Sequence, residues 1–206
     1  MSAHTALIII DVQLDFCPGG ALAVAGGDEI IAPINQMMQS KGPIVLTQDW
    51  HPAGHSSFAS SYDGQDPFSQ IDMDYGPQTL WPDHCVQGTK GADFHPALET
   101  DRADLILRKG TNPALDSYSA FFENDHKTST GLMGWLQSRQ IDNIIMAGLA
   151  TDYCVAWSAL DAARLGLSVS VVMPACRAID LEGSLAQQTE AMRAAGISLL
   201  DALPSL

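Results

Sequence analysis

Four places along the chain put a chemically capable residue directly after a short apolar run. Asp11 follows Ala6–Ile10, Asp49 and His51 follow Ile44–Thr47, and Lys109 follows Leu105–Arg108. The segment Gly148-Leu149-Ala150-Thr151-Asp152-Tyr153-Cys154 follows Ile144–Ala147 and leads into a helical pattern. A cysteine at a helix start sees the positive end of aligned peptide dipoles and unpaired backbone N–H groups. Both lower a thiol pKa and supply donors for a developing oxyanion. Cys154 is therefore placed to be a nucleophile, although a free cysteine is as readily a small core residue. Asp11 alone reads as a loop cap, and Lys109 alone as a solvated strand end. Together the three make a consistent set: the carboxylate takes the thiol proton and returns it to a leaving amine, while the ammonium holds negative charge beside the pair.

A second constellation lies in Asp49-Trp50-His51. In an extended chain residues 49 and 51 point the same way and can share one metal ion. Four of the six histidines, His51, His55, His84 and His95, fall in one stretch beside several aspartates. Asp49, His51 and His84 are the chosen ligands, with His55 in reserve. One carboxylate and two imidazoles suit one divalent metal ion, with zinc the first choice and iron or manganese as alternatives, because the ligand types do not single out one of them.

The elements that must position these residues follow from periodicity. With Val169–Val172 and Ile197–Leu200 added to the four runs above, six short β-branched segments alternate with helical patterns over Asp28–Ser40, Thr130–Arg139, Asp152–Leu165 and Ser184–Ala195. Strands that are apolar almost throughout suit a parallel sheet covered on both faces, an α/β doubly wound fold. In such a sheet ligands sit beyond the carboxyl ends of the strands, where strand order reverses, which is where the polar set falls. The stretch from about 49 to 103 breaks the rhythm with Pro, Gly, Ser, His and Asp, and is expected to be a functional loop excursion within a single domain spanning 1–206.

Composition narrows the function classes. Nearly half of the 206 residues are apolar (46%) and charged residues make up only 17%, as in a compact globular enzyme. The net charge of −14, with only ten Lys and Arg, would repel a phosphate backbone and offers no basic stripe, so neither nucleic acid nor an anionic membrane is an expected partner. The start, Met1-Ser2-Ala3-His4, has no positive region or cleavage site before the first apolar run, and Cys17, Cys85, Cys154 and Cys176 show no CxxC spacing. A cytoplasmic protein without a disulfide framework is expected.

The stretches IIIDVQLDFCPGGALAV, TQDWHPAGHSSFA, LWPDHCVQGTKGADFHP, RKGTNPALDSYSAFF and AGLATDYCVAWSALDA, in this order, resemble the nicotinamidase branch of the isochorismatase-like cysteine hydrolases. The resemblance implies a six-stranded sheet of order 3-2-1-4-5-6, a catalytic Asp11, Lys109 and Cys154, and a metal held by Asp49, His51 and His84. It implies a non-proline cis peptide between Leu149 and Ala150, with the backbone N–H groups of Ala150 and Cys154 facing one oxyanion position. Phe16 and Trp81 match positions that sandwich a pyridine ring in that family. Leu22 and Tyr118 are added to this pocket, with Tyr153, at a position that varies among relatives. The implied activity is hydrolysis of nicotinamide to nicotinate and ammonia through a cysteine thioester, in NAD salvage, with pyrazinamide as a further substrate and a monomer or homo-oligomer as the assembly. The alternatives are another hydrolase on the same scaffold, or a non-catalytic metal- or redox-sensing protein whose cysteines and histidines are ligands.

Overall fold

The structure is a computed structural model that describes residues 4–204. Its centre is β1 (Thr5–Ile10), a run of β-branched and aliphatic residues buried along its whole length. On one side β1 pairs in parallel with β2 (Ile44–Asp49), also buried throughout, and on the other with β6 (Asn143–Leu149). β5 (Leu105–Lys109) adds to the outer edge of β2, β7 (Ser168–Arg177) to β6 and β8 (Ser198–Leu200) to β7, giving the order β5-β2-β1-β6-β7-β8. The intervening β3 (Gln70–Met73) and β4 (Gly76–Thr79) form a separate antiparallel hairpin. Without them the sheet has the expected order 3-2-1-4-5-6, with the reversal between β1 and β6.

Burial follows position in the sheet. β5 alternates half-buried and exposed residues, and Ile106 is 47% exposed, because an edge strand has a neighbour on one side only. Its apolar sequence had suggested cover on both faces. β7 runs well past the expected Val172, since Met173-Pro174 interrupts the apolar pattern but not the strand. A register shift opposite Met146 and Gly148 lets Cys176 and Arg177 pair with Gly148 and Leu149.

The helices carry the expected apolar stripes with altered ends. α1 covers only Ile31–Met37, its first three expected residues forming a turn, yet Ile30, Ile31, Ile34, Met37 and Met38 are all buried as the stripe requires. α2 is Leu132–Ser138 and α4 is Ser184–Ala194. The segment expected as one helix over Asp152–Leu165 is two: a π-helical turn at Thr151–Val155, in which Val155 N–H donates to Ala150 O at 3.1 Å, followed by α3 (Ala156–Arg164). Such single π turns recur at functional sites. The peptide between Leu149 and Ala150 is cis.

The excursion after β2 is folded on itself by parallel bridges between His51 and Val86 and between Phe58 and Trp81, and is tied to the segment after β1 by the antiparallel bridge between Gln13 and Phe94. Its hairpin was not legible in the sequence because Gln70–Thr79 is short, polar and contains Pro77. Among the described residues no helix is long and apolar enough to cross a membrane.

Candidate active site

Sheet register brings the first constellation together. Asp49 and Lys109 are direct partners across β2 and β5, so their side chains leave the same face at the carboxyl end. The buried Lys109 Nζ lies 2.9 Å from Asp11 Oδ2 and donates to Asp49 Oδ1 at 3.0 Å, to Ser117 O at 2.7 Å and to Cys154 Sγ at 3.5 Å. Asp11 ends β1 in the left-handed region (φ 48°) and is held there reciprocally: its N–H donates to Thr47 Oγ1 (3.1 Å), whose hydroxyl donates to Asp11 Oδ1 (2.7 Å). Among the described residues Asp11 Oδ2 makes only the ionic contact with Lys109 Nζ. The loop to Cys154 leaves β6 where Gly148 pairs with Ile10; a Cβ at Gly148 would lie 2.1 Å from Ile10 O, so only glycine permits this approach.

Burial dominates the electrostatics. The Cys154 thiol is pushed well above its ordinary value by desolvation, opposed by Lys109 and reinforced by Asp11 and Asp49. A lowered thiol pKa, expected from the helix start, is therefore not what the resting site shows: loss of water and two carboxylates outweigh the ammonium. Asp11 is also raised, by burial first and against the pull of Lys109, whereas Lys109 is held charged by Asp11 and Asp49 despite its burial. The resting arrangement is a buried thiol and the Asp11 carboxyl group on either side of the Lys109 ammonium.

The second constellation adjoins it. Asp49 Oδ2 is 3.0 Å from His51 Nε2 and 3.5 Å from His84 Nε2, and one ligand atom from each of the three residues lies within 4.8 Å of the others. Each imidazole is oriented from behind. His51 Nδ1–H donates to Gly110 O (2.9 Å) and His84 Nδ1–H to Pro82 O (2.8 Å); a carbonyl only accepts, which leaves Nε2 as the nitrogen facing Asp49. Gly110 (φ 64°) must be glycine, because a Cβ would come within 2.5 Å of the His51 ring. A buried carboxylate and two pre-oriented imidazole nitrogens fit a divalent metal ion. His55 does not join this group. Its Nδ1 accepts from Ser57 and its Nε2–H donates to Asn112 O at 2.8 Å, so both ring nitrogens are occupied.

A small cavity lies between the two clusters. Phe16, Leu22, Trp81, Tyr118 and Tyr153 line it, together with Asp49, His84, Ala150 and Cys154. Trp81 and Tyr153 meet edge to face with centroids 4.8 Å apart, and Trp81 Nε1–H donates to the Tyr118 hydroxyl oxygen (3.0 Å). The cavity walls are mostly aromatic, with the Cys154 thiol, Asp49 and the His84 imidazole on the side facing the two clusters.

A profile of the isochorismatase domain matches residues 5–202. The chain belongs to the isochorismatase domain family. Within that family it is 54% identical over 194 residues to the nicotinamidase of Acinetobacter baylyi, covering 94% of this chain and 91% of that one. The solved structure of an Acinetobacter baumanii nicotinamidase and pyrazinamidase superposes with a TM-score of 0.96 at 50% identity, covering 97% of each chain. That of a Pyrococcus horikoshii pyrazinamidase in complex with zinc does so with a TM-score of 0.78 at 33% identity, covering 97% of this chain and 99% of that one.

Several residues that shape this isochorismatase-family site escaped the sequence reading. Asp116 and Ile179 line the cavity. Gln13, fully buried, brackets the backbone of Asp49: its Nε2–H donates to Asp49 O and its Oε1 accepts from Asp49 N–H, both at 2.8 Å. Asp15 Oδ2 accepts the Cys85 N–H at 2.7 Å, pinning the residue after His84. Polar residues so close to Asp11, in Asp11-Val12-Gln13-Leu14-Asp15, were the available signal.

Proposed function

We propose that the chain is a nicotinamidase, an amide hydrolase that converts nicotinamide and water to nicotinate and ammonia through a thioester on Cys154. The observation that carries this is the single ammonium of Lys109 in contact with Asp11, Asp49 and Cys154 at the polar end of an aromatic cavity. The identity to relatives named nicotinamidase supports the substrate, and the likeness to the Acinetobacter baumanii nicotinamidase and pyrazinamidase supports pyrazinamide as a second one.

In this mechanism the open Oδ2 of Asp11 accepts the Cys154 proton as the sulfur attacks the carboxamide carbon. The oxyanion is held by the N–H groups of Ala150 and Cys154, and Asp11 returns the proton to the departing ammonia. A water then gives its proton to Asp11 and adds to the thioester carbon; the thiolate leaves, is reprotonated by Asp11, and nicotinate is released. Lys109 stays charged throughout and keeps the Asp11 carboxylate aligned. Phe16 and Trp81 flank the ring, while Leu22, Tyr118 and Tyr153 close the walls.

Asp49, His51 and His84 would hold one divalent metal ion, zinc by analogy with the Pyrococcus horikoshii protein, with iron or manganese as alternatives. When bound, the ion supplies an electrophilic contact for the pyridine nitrogen and so orients the carboxamide. Benzamide, which lacks that nitrogen, should accordingly be a poor substrate. We place the enzyme in the cytoplasm, in keeping with its four free cysteines.

Ammonia release from nicotinamide by the purified protein, before and after chelation, tests the assignment. Release that is lost on chelation and regained on adding metal supports it. Stable metal content with no release would favour a metal-binding or sensing role.

A further inference from the structure

Gln78 lies on the hairpin strand β4, outside the main sheet, yet is only 1% exposed. Its amide orientation is fixed by partners that can act in one way only. Nε2 faces two pure acceptors, Thr79 O at 2.7 Å and Asp116 Oδ2 at 2.8 Å. Oε1 accepts from Asn124 Nδ2 at 3.2 Å and from the Tyr75 hydroxyl at 3.1 Å. Asn124 is itself fixed, because its Oδ1 accepts the Tyr118 N–H at 2.9 Å. The third atom facing Gln78 Nε2 is the Tyr118 hydroxyl oxygen at 3.0 Å, so the two amide hydrogens are shared among three acceptors.

The consequence falls on Tyr118. A phenol oxygen has one hydrogen and two accepting sites. Gln78 Nε2–H takes one site, and Trp81 Nε1–H, which can only donate, takes the other. The hydroxyl hydrogen is thus directed away from both, and among the described residues it meets no acceptor. Tyr118 and Trp81 both line the cavity. We propose that Gln78 is a positioning residue that fixes the Tyr118 hydroxyl as a hydrogen-bond donor toward an acceptor atom of the bound aromatic carboxamide. The inference rests on the nicotinamidase reading for the identity of that ligand. It makes this wall of the pocket selective: a ligand presenting an acceptor there is retained, and one presenting a donor meets a hydrogen it cannot pair with.

The test is a double-mutant cycle on the metal-loaded enzyme with Tyr118→Phe, Gln78→Met and the double variant. It is read both as KM and kcat for nicotinamide and as Kd for nicotinate from tryptophan fluorescence. Each single variant should raise KM and Kd by roughly fivefold, the scale of one lost neutral hydrogen bond, with kcat falling far less. The double variant should be no worse than the larger single, since both remove the same bond. Unchanged KM and Kd in Tyr118→Phe, or a double effect equal to the product of the singles, would overturn the proposal. If Gln78→Met fails to fold, Tyr118→Phe alone decides. A wild type that binds nicotinate but releases no ammonia would end the nicotinamidase reading, while the Kd cycle would still decide on Gln78.

Discussion

The two clusters at the sheet's carboxyl edge touch through Asp49 and Lys109 but are built by different means. Asp11 and Lys109 are the ends of β1 and β5, and Cys154 follows β6 by one tight turn, so strand pairing fixes their separation. The Asp49, His51 and His84 group draws both of its imidazoles from the excursion. There, position depends on individual hydrogen bonds: His84 to Pro82 O, His51 to Gly110 O, and Cys85 N–H to Asp15. The cluster assigned to bond breaking is thus held by the paired central strands, and the cluster assigned to orienting the substrate by loops. Substitutions in the loops should therefore alter metal and substrate binding while leaving the thiol chemistry intact.

The largest effect expected from this contrast is at the nucleophile. Cys154→Ala should lower turnover by more than about a thousandfold while leaving metal content unchanged, as measured by ammonia release and elemental analysis of the same sample. Retained turnover would remove the thiol cluster from the chemistry. Next, His84→Ala should lose most bound metal and most activity together, and the alkylation rate of Cys154 should stay close to wild type. Parallel loss of thiol reactivity would show that the clusters are not separable. A smaller effect is expected at Asp15→Asn, which weakens the brace behind His84: metal affinity should fall on the order of tenfold, and excess metal should restore activity. An activity loss that added metal does not repair would contradict the positioning role.

The smallest effect concerns Asp11. Burial raises its pKa above 3.8 while the Thr47 hydroxyl lowers it. As a base Asp11 must be deprotonated, so activity is lost as pH falls through its folded pKa, and the acid limb of kcat should sit above the ordinary aspartate value. Thr47→Val should move that limb further up, by less than about one pH unit. A downward movement would place another group on the limb.

Legibility in the sequence followed the same division. The strands and the positions of Asp11, Lys109 and Cys154 could be read because each residue follows an apolar run, whereas the sheet order was implied by the family resemblance. The ligand pair Asp49 and His51 was equally local. Gln13 and Asp15 offered only their closeness to Asp11 as a signal, and Gln78 and Asp116 none, because their roles come from contacts with residues far along the chain that no periodicity encodes. The thiol's electrostatics were misjudged for a related reason: the helix start is a local feature, whereas the burial that outweighs it depends on the whole fold.

Covalent catalysis by Cys154 is the central claim, and rapid-quench mass spectrometry of the wild type with nicotinamide tests it most directly. A nicotinoyl group on the peptide containing Cys154, formed before nicotinate accumulates and hydrolysed at a rate no slower than turnover, is the predicted result. Full turnover with no acyl group on that peptide, or with the group on another residue, would contradict it.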